Sequence, residues 1–135
     1  DPHDSITYDL LSKYIGIMQV DFSKKIYILE GALDATFLPN SIGLVGSNTP
    51  TKVFEEGQLD VCWVFDNDIA GQKKSKEHIN KNQKVFLWKK FLRDLNFPVG
   101  IKDLNDVILF SDIGNMSLKF VPNYFSVDRL DFMFV

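Results

Sequence analysis

The sequence predicts an α/β protein, a mostly parallel four-stranded sheet flanked by helices, with a short β extension at the C-terminus. Three observations carry that reading. Short runs rich in apolar, β-branched and aromatic residues recur at Ile26–Leu29, Ser41–Val45, Val61–Phe65 and Lys84–Trp88, too short for helices. Stretches of helical character separate them, the βαβ alternation of a parallel sheet. Acidic residues stand at the ends of the runs, Glu30 after the first and Asp66 and Asp68 after the third, where parallel sheets hold their ligands.

Taken in order, Asp4-Ser5 can cap a helix through Ile6, Tyr8, Leu10, Leu11, Tyr14 and Ile15, interrupted by Gly16. Asp21 to Lys25 is a turn. Ile26–Leu29 is the first strand. Ala32 to Leu38 reads as a short helix stopped by Pro39-Asn40. Ser41–Val45 is the second strand, and Thr49-Pro50-Thr51 opens a weak helix that Gly57 closes. Val61–Phe65 is the third strand, and Ile69 to about Lys81 is a polar helix. Lys84–Trp88 is the fourth strand. The segment Lys89 to Lys102 has no clear pattern, and Asp103 to Phe110 is a short helix with Asp103 near its N-terminus. The tail, Met116 to Val135, alternates loosely and suggests a strand or hairpin.

A chain of 135 residues with 45% hydrophobic and 24% charged residues is one ordinary globular domain, not a disordered one. A net charge of −3 excludes a globally basic nucleic-acid footprint but leaves room for local lysine patches. The single cysteine, Cys62, excludes an intrachain disulfide and makes a reducing, cytoplasmic compartment the default. No apolar run approaches the roughly 18 residues of a membrane span, and no signal peptide is visible. The start at Asp1-Pro2-His3, without methionine, suits a piece of a longer chain.

The chemistry is concentrated at Val64–Gly71, VFDNDIAG. A buried strand that stops at two carboxylates places negative charge at a sheet edge, which is sensible where a cation sits. Oxygen-only ligands select Mg²⁺ or Mn²⁺ over zinc, and His and Cys do not recur with zinc spacing. Mg²⁺ normally binds one or two carboxylates together with substrate phosphates, so phosphoryl-transfer chemistry is the first class to consider.

At these residues the chain resembles a known family. Glu30-Gly31-Ala32-Leu33-Asp34 matches the E-G-x-x-D signature of TOPRIM domains, and Asp66-Asn67-Asp68-Ile69-Ala70-Gly71 matches their D-x-D-x-x-G signature. Lys102-Asp103-Leu104-Asn105-Asp106 is similar to the K-D-x-[DN]-[DE] segment that follows the sheet in primases. The resemblance covers about residues 13 to 110, leaving 111–135 as a C-terminal extension. Its details are most similar to the catalytic domain of T-even-type phage DNA primases. Where many bacterial primases have a second aspartate this chain has Asn105, so Asp106 or metal-bound waters take that place. The topoisomerase branch would need a catalytic tyrosine in a far larger protein.

The resemblance implies Glu30 as a general acid/base or metal-linked carboxylate and Asp66 and Asp68 as the main Mg²⁺ ligands. It adds Asp103 and Asp106 as completing ligands and Gly31, Asp34 and Asn105 around them. Lys102 is placed to meet a phosphate, while Lys73, Lys74, Lys89, Lys90 and Arg93 are candidates for tracking nucleic acid. It also implies single-stranded DNA template and nucleoside triphosphates as partners, with a replicative helicase or missing primase domains beside them. The compartment would be the cytoplasm, the host cell's if the protein is viral.

Plainer readings stand beside these. Asp66 and Asp68 also read as helix-capping carboxylates, as does the Asp103-x-x-Asp106 pair. A Lys-rich helix is usually a solvated face. Trp63, Trp88 and Cys62 read as core, and His3 and His78 as exposed. Phe120, Tyr124, Phe125, Phe132 and Phe134 form an exposed aromatic face or close the core. The expected function is therefore primer synthesis by metal-dependent nucleotidyl transfer. A TOPRIM nuclease is the first alternative and a non-catalytic module binding nucleic acid or a partner the second. A phosphatase with strand-then-D-x-D chemistry would want a threonine where Ile69-Ala70-Gly71 stands.

Overall fold

The computed structural model describes residues 14–15, 19–31, 38–45, 52–56, 58–98, 100–110 and 114–134. The chain divides into two compact units, Asp1–Val61 and Cys62–Val135. The α/β class holds in both, with parallel pairing between the longer strands.

In the first unit, β1 (Tyr14–Ile15), β2 (Ile26–Leu29) and β3 (Ser41–Leu44) lie in the order β1-β3-β2. β2 runs parallel to β3 with Ile28 opposite Ile42, and β1 runs antiparallel to β3 with Tyr14 opposite Leu44. All four residues of β2 and of β3 are buried, which is why the sequence shows continuous apolar runs there. Helix α1 (Lys52–Glu56) follows, as expected from Thr49-Pro50-Thr51. Its Phe54 meets Tyr14 edge to face, with ring centroids 5.6 Å apart. Tyr14 and Ile15 are thus strand, not the helix expected, because they pair along β3. The rest of that N-terminal helix lies outside the described residues. So does the Ala32–Leu38 helix apart from Leu38, which is buried in a bend.

The turn before β2 is held by one side chain. Asn40 Oδ1 accepts from the Asp21 amide at 2.7 Å, and its Nδ2 donates to the Asp21 and Lys25 carbonyls at 3.1 and 2.7 Å. Asn40 does this at φ 53°, in the left-handed region that asparagine tolerates better than most residues. Within the turn, the Ser23 hydroxyl and amide both donate to Asp21 Oδ1, which with nearby Lys24 holds the Asp21 carboxyl below its usual pKa.

In the second unit, β4 (Val61–Val64), β5 (Lys84–Phe86) and β6 (Phe125–Ser126) are ordered β4-β5-β6. β4 and β5 are parallel, with Trp63 opposite Val85, and β6 is antiparallel to β5. Between them lie α2 (Ile69–Ile79), α3 (Trp88–Asp94) and α4 (Leu104–Phe110), then a 3₁₀ segment Gly114–Asn123, with α5 (Arg129–Phe134) last. The expected fourth strand is therefore shorter than expected: Trp88 begins α3 instead of ending a strand. Its indole N–H donates to the Phe65 carbonyl at 2.7 Å, an anchor that draws the chain out of β5 and back over the end of β4. The tail is mainly helical, with only a two-residue strand, so the four strands and β extension expected become six short strands counted over both units.

The core of this unit is aromatic. Phe91 is fully buried and contacts Phe86, Trp88, Phe97 and Tyr124 at centroid distances of 5.1, 6.2, 5.9 and 5.4 Å. Among the described residues Phe54, Phe65, Phe86 and Phe91 are buried in the core, while Phe22, Phe110 and Phe120 are exposed. Tyr124 donates its hydroxyl to Asp94 at 3.2 Å, and burial together with that carboxylate raises the phenol pKa.

The Asn40 clasp is testable. Asn40→Gly keeps the backbone at ease but deletes three hydrogen bonds, and should cost about 1–2 kcal/mol in urea unfolding. Asn40→Ala should cost roughly 1 kcal/mol more, because alanine also resists positive φ. Equal losses for both variants would assign the whole effect to the hydrogen bonds.

Candidate functional site

The site is built at the end of β4. Its strand stops after Val64, and Phe65 remains buried while Asp66, Asn67 and Asp68 are half-buried. Asp68 is the N-cap of α2, and its Oδ1 accepts from the Gly71 amide at 2.7 Å, the N3 bond of a standard cap. Gly71 is buried against the preceding loop. A Cβ there would overlap the Asp66 carbonyl oxygen and stand 2.7 Å from its carbon and 2.9 Å from the Asp66 nitrogen. Glycine is required at this position because helix backbone and strand-end backbone touch.

Helix α2 seats itself on the strands through an unusual stripe, Gly71, Ser75, His78 and Ile79. Ser75 donates its hydroxyl to the Gly71 carbonyl at 2.9 Å. His78, expected at the surface, is buried, with its ring 4.4 Å from Trp63 and 4.8 Å from Phe65. Its Nδ1 lies 2.9 Å from the Lys74 carbonyl. The stripe has helical spacing but mixes small and polar residues, so hydrophobic patterning does not reveal it.

Two acidic segments distant in sequence meet here. The Asn67 amide donates to the Lys102 carbonyl, and Asn67 Nδ2 donates to the Ile101 carbonyl at 2.8 Å. The loop that carries Asp66 and Asp68 is thereby docked on the segment that opens α4. There the Asp106 amide donates to Asp103 Oδ1 at 2.8 Å, and Asp106 Oδ2 accepts from the Lys102 amide at 2.9 Å. Asp103 thus caps the first turn of α4, and Asp106 ties that turn back to the residue before the cap. Asn105 is half-buried on the same turn. Glu30 and Gly31 are half-buried immediately after β2, in the first unit. Asp34 lies outside the described residues.

Backbone amides occupy one oxygen each of Asp68, Asp103 and Asp106. Among the described residues, no group of three or more His, Cys, Asp or Glu side chains is arranged to hold a metal ion. The donors nevertheless suit Mg²⁺ in one respect. That ion favours one or two carboxylates, waters and substrate phosphates over an all-protein cage, and this loop offers carboxylates with oxygen beyond the capping bonds.

Beside Asp66 lies a cavity of about 160 Å³, beyond the carboxyl ends of the parallel strands β4 and β5. Its polar lining is Asp66, Asn67, Gln72, Ser75, Lys76 and Lys89. Its apolar lining is Leu87, Trp88, Phe132 and Met133. Of the basic candidates, Lys89 faces this cavity, while Lys73 and Lys74 do not line it. Lys90 Nζ sits 6.0 Å from the Tyr124 ring centroid, and Arg93 Nε is 3.6 Å from Asp94 Oδ1. Lys102 is exposed, and its backbone serves both loops. The residues that sequence reasoning missed as cavity lining are Gln72, Ser75, Leu87, Trp88, Phe132 and Met133. Position after a parallel strand could have pointed to Leu87 and Trp88. Nothing local marks Phe132 or Met133.

Two outcomes check the local architecture. Gly71→Ala should destabilise by about 3 kcal/mol or more, since the overlap is with backbone that cannot rotate away. A loss below about 1 kcal/mol in denaturant titration would show that the helix start can move instead. Asn67→Ala should cost about 1–2 kcal/mol and accelerate amide exchange at residues 102–106 beyond the global change. Unchanged relative protection there would mean that the two loops hold together without this side chain.

Comparison with protein-family models finds no match for the chain, and no curated protein matches it significantly. Among the described residues, no helix is long and apolar enough to cross a membrane.

Proposed function

We propose that the protein carries out metal-dependent nucleotidyl transfer as a TOPRIM-type catalytic core, of the kind found in phage DNA primases. The observation that carries this reading is the docking of the Asp66-Asn67-Asp68 loop on the Lys102–Asp106 segment through Asn67. It brings together the two motifs that lie farthest apart among those on which the resemblance rests in this unit. The Gly71 contact supports the same reading, because it gives the final glycine of D-x-D-x-x-G a physical cause. The cavity at the strand ends supports it as well, since it combines Asp66 with two lysines.

In this reading Asp66 and Asp68 hold Mg²⁺ or Mn²⁺, with Asp103 and Asp106 beside them. When bound, the ion supplies neutralisation of phosphate charge and activation of an attacking oxygen. The chain's own part is to orient. The cap on α2 fixes the Asp68 carboxylate, the Gly71 contact fixes the Asp66 backbone, and Lys76 and Lys89 offer positive charge to a phosphate chain. Glu30 enters through the resemblance as general acid/base, and single-stranded DNA and nucleoside triphosphates as substrates.

A second reading has a specific observation in its favour. Asp68 and Asp103 cap their helices and Asp106 holds the Lys102 amide, and such local bonds alone are a sufficient reason for carboxylates there. A TOPRIM-like module that binds nucleic acid or a replication partner without catalysis would need no more.

The test is an incubation with single-stranded DNA template, ribonucleotides and Mn²⁺, with strand cleavage followed in parallel. Primer synthesis is expected, and Asp66→Ala should reduce it by roughly 10²-fold or more, the scale on which loss of a catalytic electrostatic group acts. Cleavage without synthesis would replace this reading with the nuclease. Neither activity, with no Mn²⁺ bound near Asp66 in soaked crystals, would leave the binding module.

A further inference from the structure

We infer that the cavity beside Asp66 is a nucleoside-phosphate site whose apolar wall is supplied by the C-terminal helix, through Phe132 and Met133. The inference deepens the reading of Asp66 given above and rests on it for the identity of the neighbouring chemistry. The charge on the cavity wall decides the first half. Lys76 on α2 and Lys89 on α3 contribute two ammonium groups against the one carboxylate of Asp66, so the wall favours an anion. Both lysines are exposed, at the rim where a phosphate stays partly hydrated.

The apolar half decides the rest. Leu87 and Trp88 line one part of the cavity and Phe132 and Met133 another. The Trp88 indole N–H is already engaged by the Phe65 carbonyl, so this side chain offers ring surface and no donor. Gln72, exposed on the first turns of α2, adds an amide with both donor and acceptor, the groups that read the edge of a heterocycle. A bare phosphate would use the lysines and leave the apolar wall unmatched. A purely apolar ligand would leave the lysines unmatched. A nucleoside phosphate uses both. The 160 Å³ volume is below the roughly 300–1,000 Å³ of pockets that enclose a drug-sized ligand, so only the base of the nucleotide enters and the phosphates remain at the rim.

The apolar wall also borders a second cavity. This one, of about 220 Å³, is lined by Lys76, Ile79, Asn80 and Arg129 and touches Phe132 and Met133 as well. Side chains that border cavities on two sides forgo packing contacts, and Met133 is 51% exposed. Helix α5 is held at its start, where Asp128 Oδ1 accepts from the Leu130 amide at 2.8 Å and Ser126 donates its hydroxyl to Asp131 Oδ2 at 2.7 Å.

Calorimetric titration of the full chain with ATP, inorganic triphosphate and a short oligothymidylate tests the assignment. ATP should bind. Phe132→Ala should weaken ATP about tenfold or more, the loss expected when a base loses its apolar partner, and leave inorganic triphosphate unchanged, while Met133→Glu, which also adds a carboxylate to the wall, should weaken ATP more than inorganic triphosphate. Lys76→Ala with Lys89→Ala should weaken both. Met133→Glu guards against misfolding, because its side chain is largely exposed. Competition of the oligothymidylate with ATP would identify a strand terminus as an occupant, and its absence the free nucleotide. Binding of neither ATP nor oligothymidylate overturns the inference, as does ATP binding indifferent to Phe132 and Met133. ATP binding that depends on them in a protein that makes no primers keeps the cavity assignment and removes the catalytic reading. Primer synthesis with unaltered KM for ATP in Met133→Glu does the reverse.

Discussion

Helix α2 begins with its third residue pressed against the backbone that has just left β4, and most of what is functional in the second unit follows from that contact. Because Gly71 has no side chain, the helix can start after only four residues beyond the strand's end. The intervening loop then has no slack. Asp68 is left at the N-cap, Asp66 at the strand end, and Asn67 turned toward the Ile101–Lys102 carbonyls. A bulkier residue would push the helix away and release all three positions together. A single steric condition thus sets the geometry of a charged loop, a helix terminus and a contact to a segment more than thirty residues away in the chain.

The carboxylates collected there have structural work before any chemistry. The bonds to Asp68 and Asp103 satisfy amides that a helix terminus otherwise leaves open, the bond to Asp106 holds the Lys102 amide, and each carboxylate is held in place by its bond. Fixed, partly engaged carboxylates can serve a Mg²⁺ ion that brings its own waters and meets phosphates, and serve poorly as a closed cage. The adjoining cavity supplies the complementary character, lysine charge at its rim and apolar side chains within. Its position beyond the carboxyl ends of a parallel strand pair follows from strand direction, since helices return on the faces and leave the strand ends open.

Much of this was legible beforehand because it is local. The buried strands at Ile26–Leu29, Ser41–Leu44 and Val61–Val64 announce themselves as apolar runs, and the start of α4 as an aspartate-led turn. Trp88 misled, because an aromatic residue after a strand looks like more strand until its indole finds the Phe65 carbonyl. His78 misled for a related reason. In a helix as polar as Ile69–Ile79 a histidine reads as surface, and only packing on Trp63 and Phe65 shows the ring to be core. The C-terminal tail misled because loose alternation of apolar residues suits a strand and an amphipathic helix over so few positions.

By itself the sequence determined the class of fold, the positions of its principal strands along the chain and the positions of the acidic groups at strand ends, since these depend on composition and periodicity along short stretches. Tertiary structure alone decided which of those groups meet. Asn67 looks like the variable residue between two aspartates, and its role as the tie to Ile101 exists only once the chain has folded back. The glycine of the D-x-D-x-x-G motif was visible as a letter, but its reason is a contact between backbones, which no side-chain pattern encodes. Phe132 and Met133 reach the cavity through a helix whose placement depends on β6 pairing with β5, a non-local event that leaves no mark on the residues themselves.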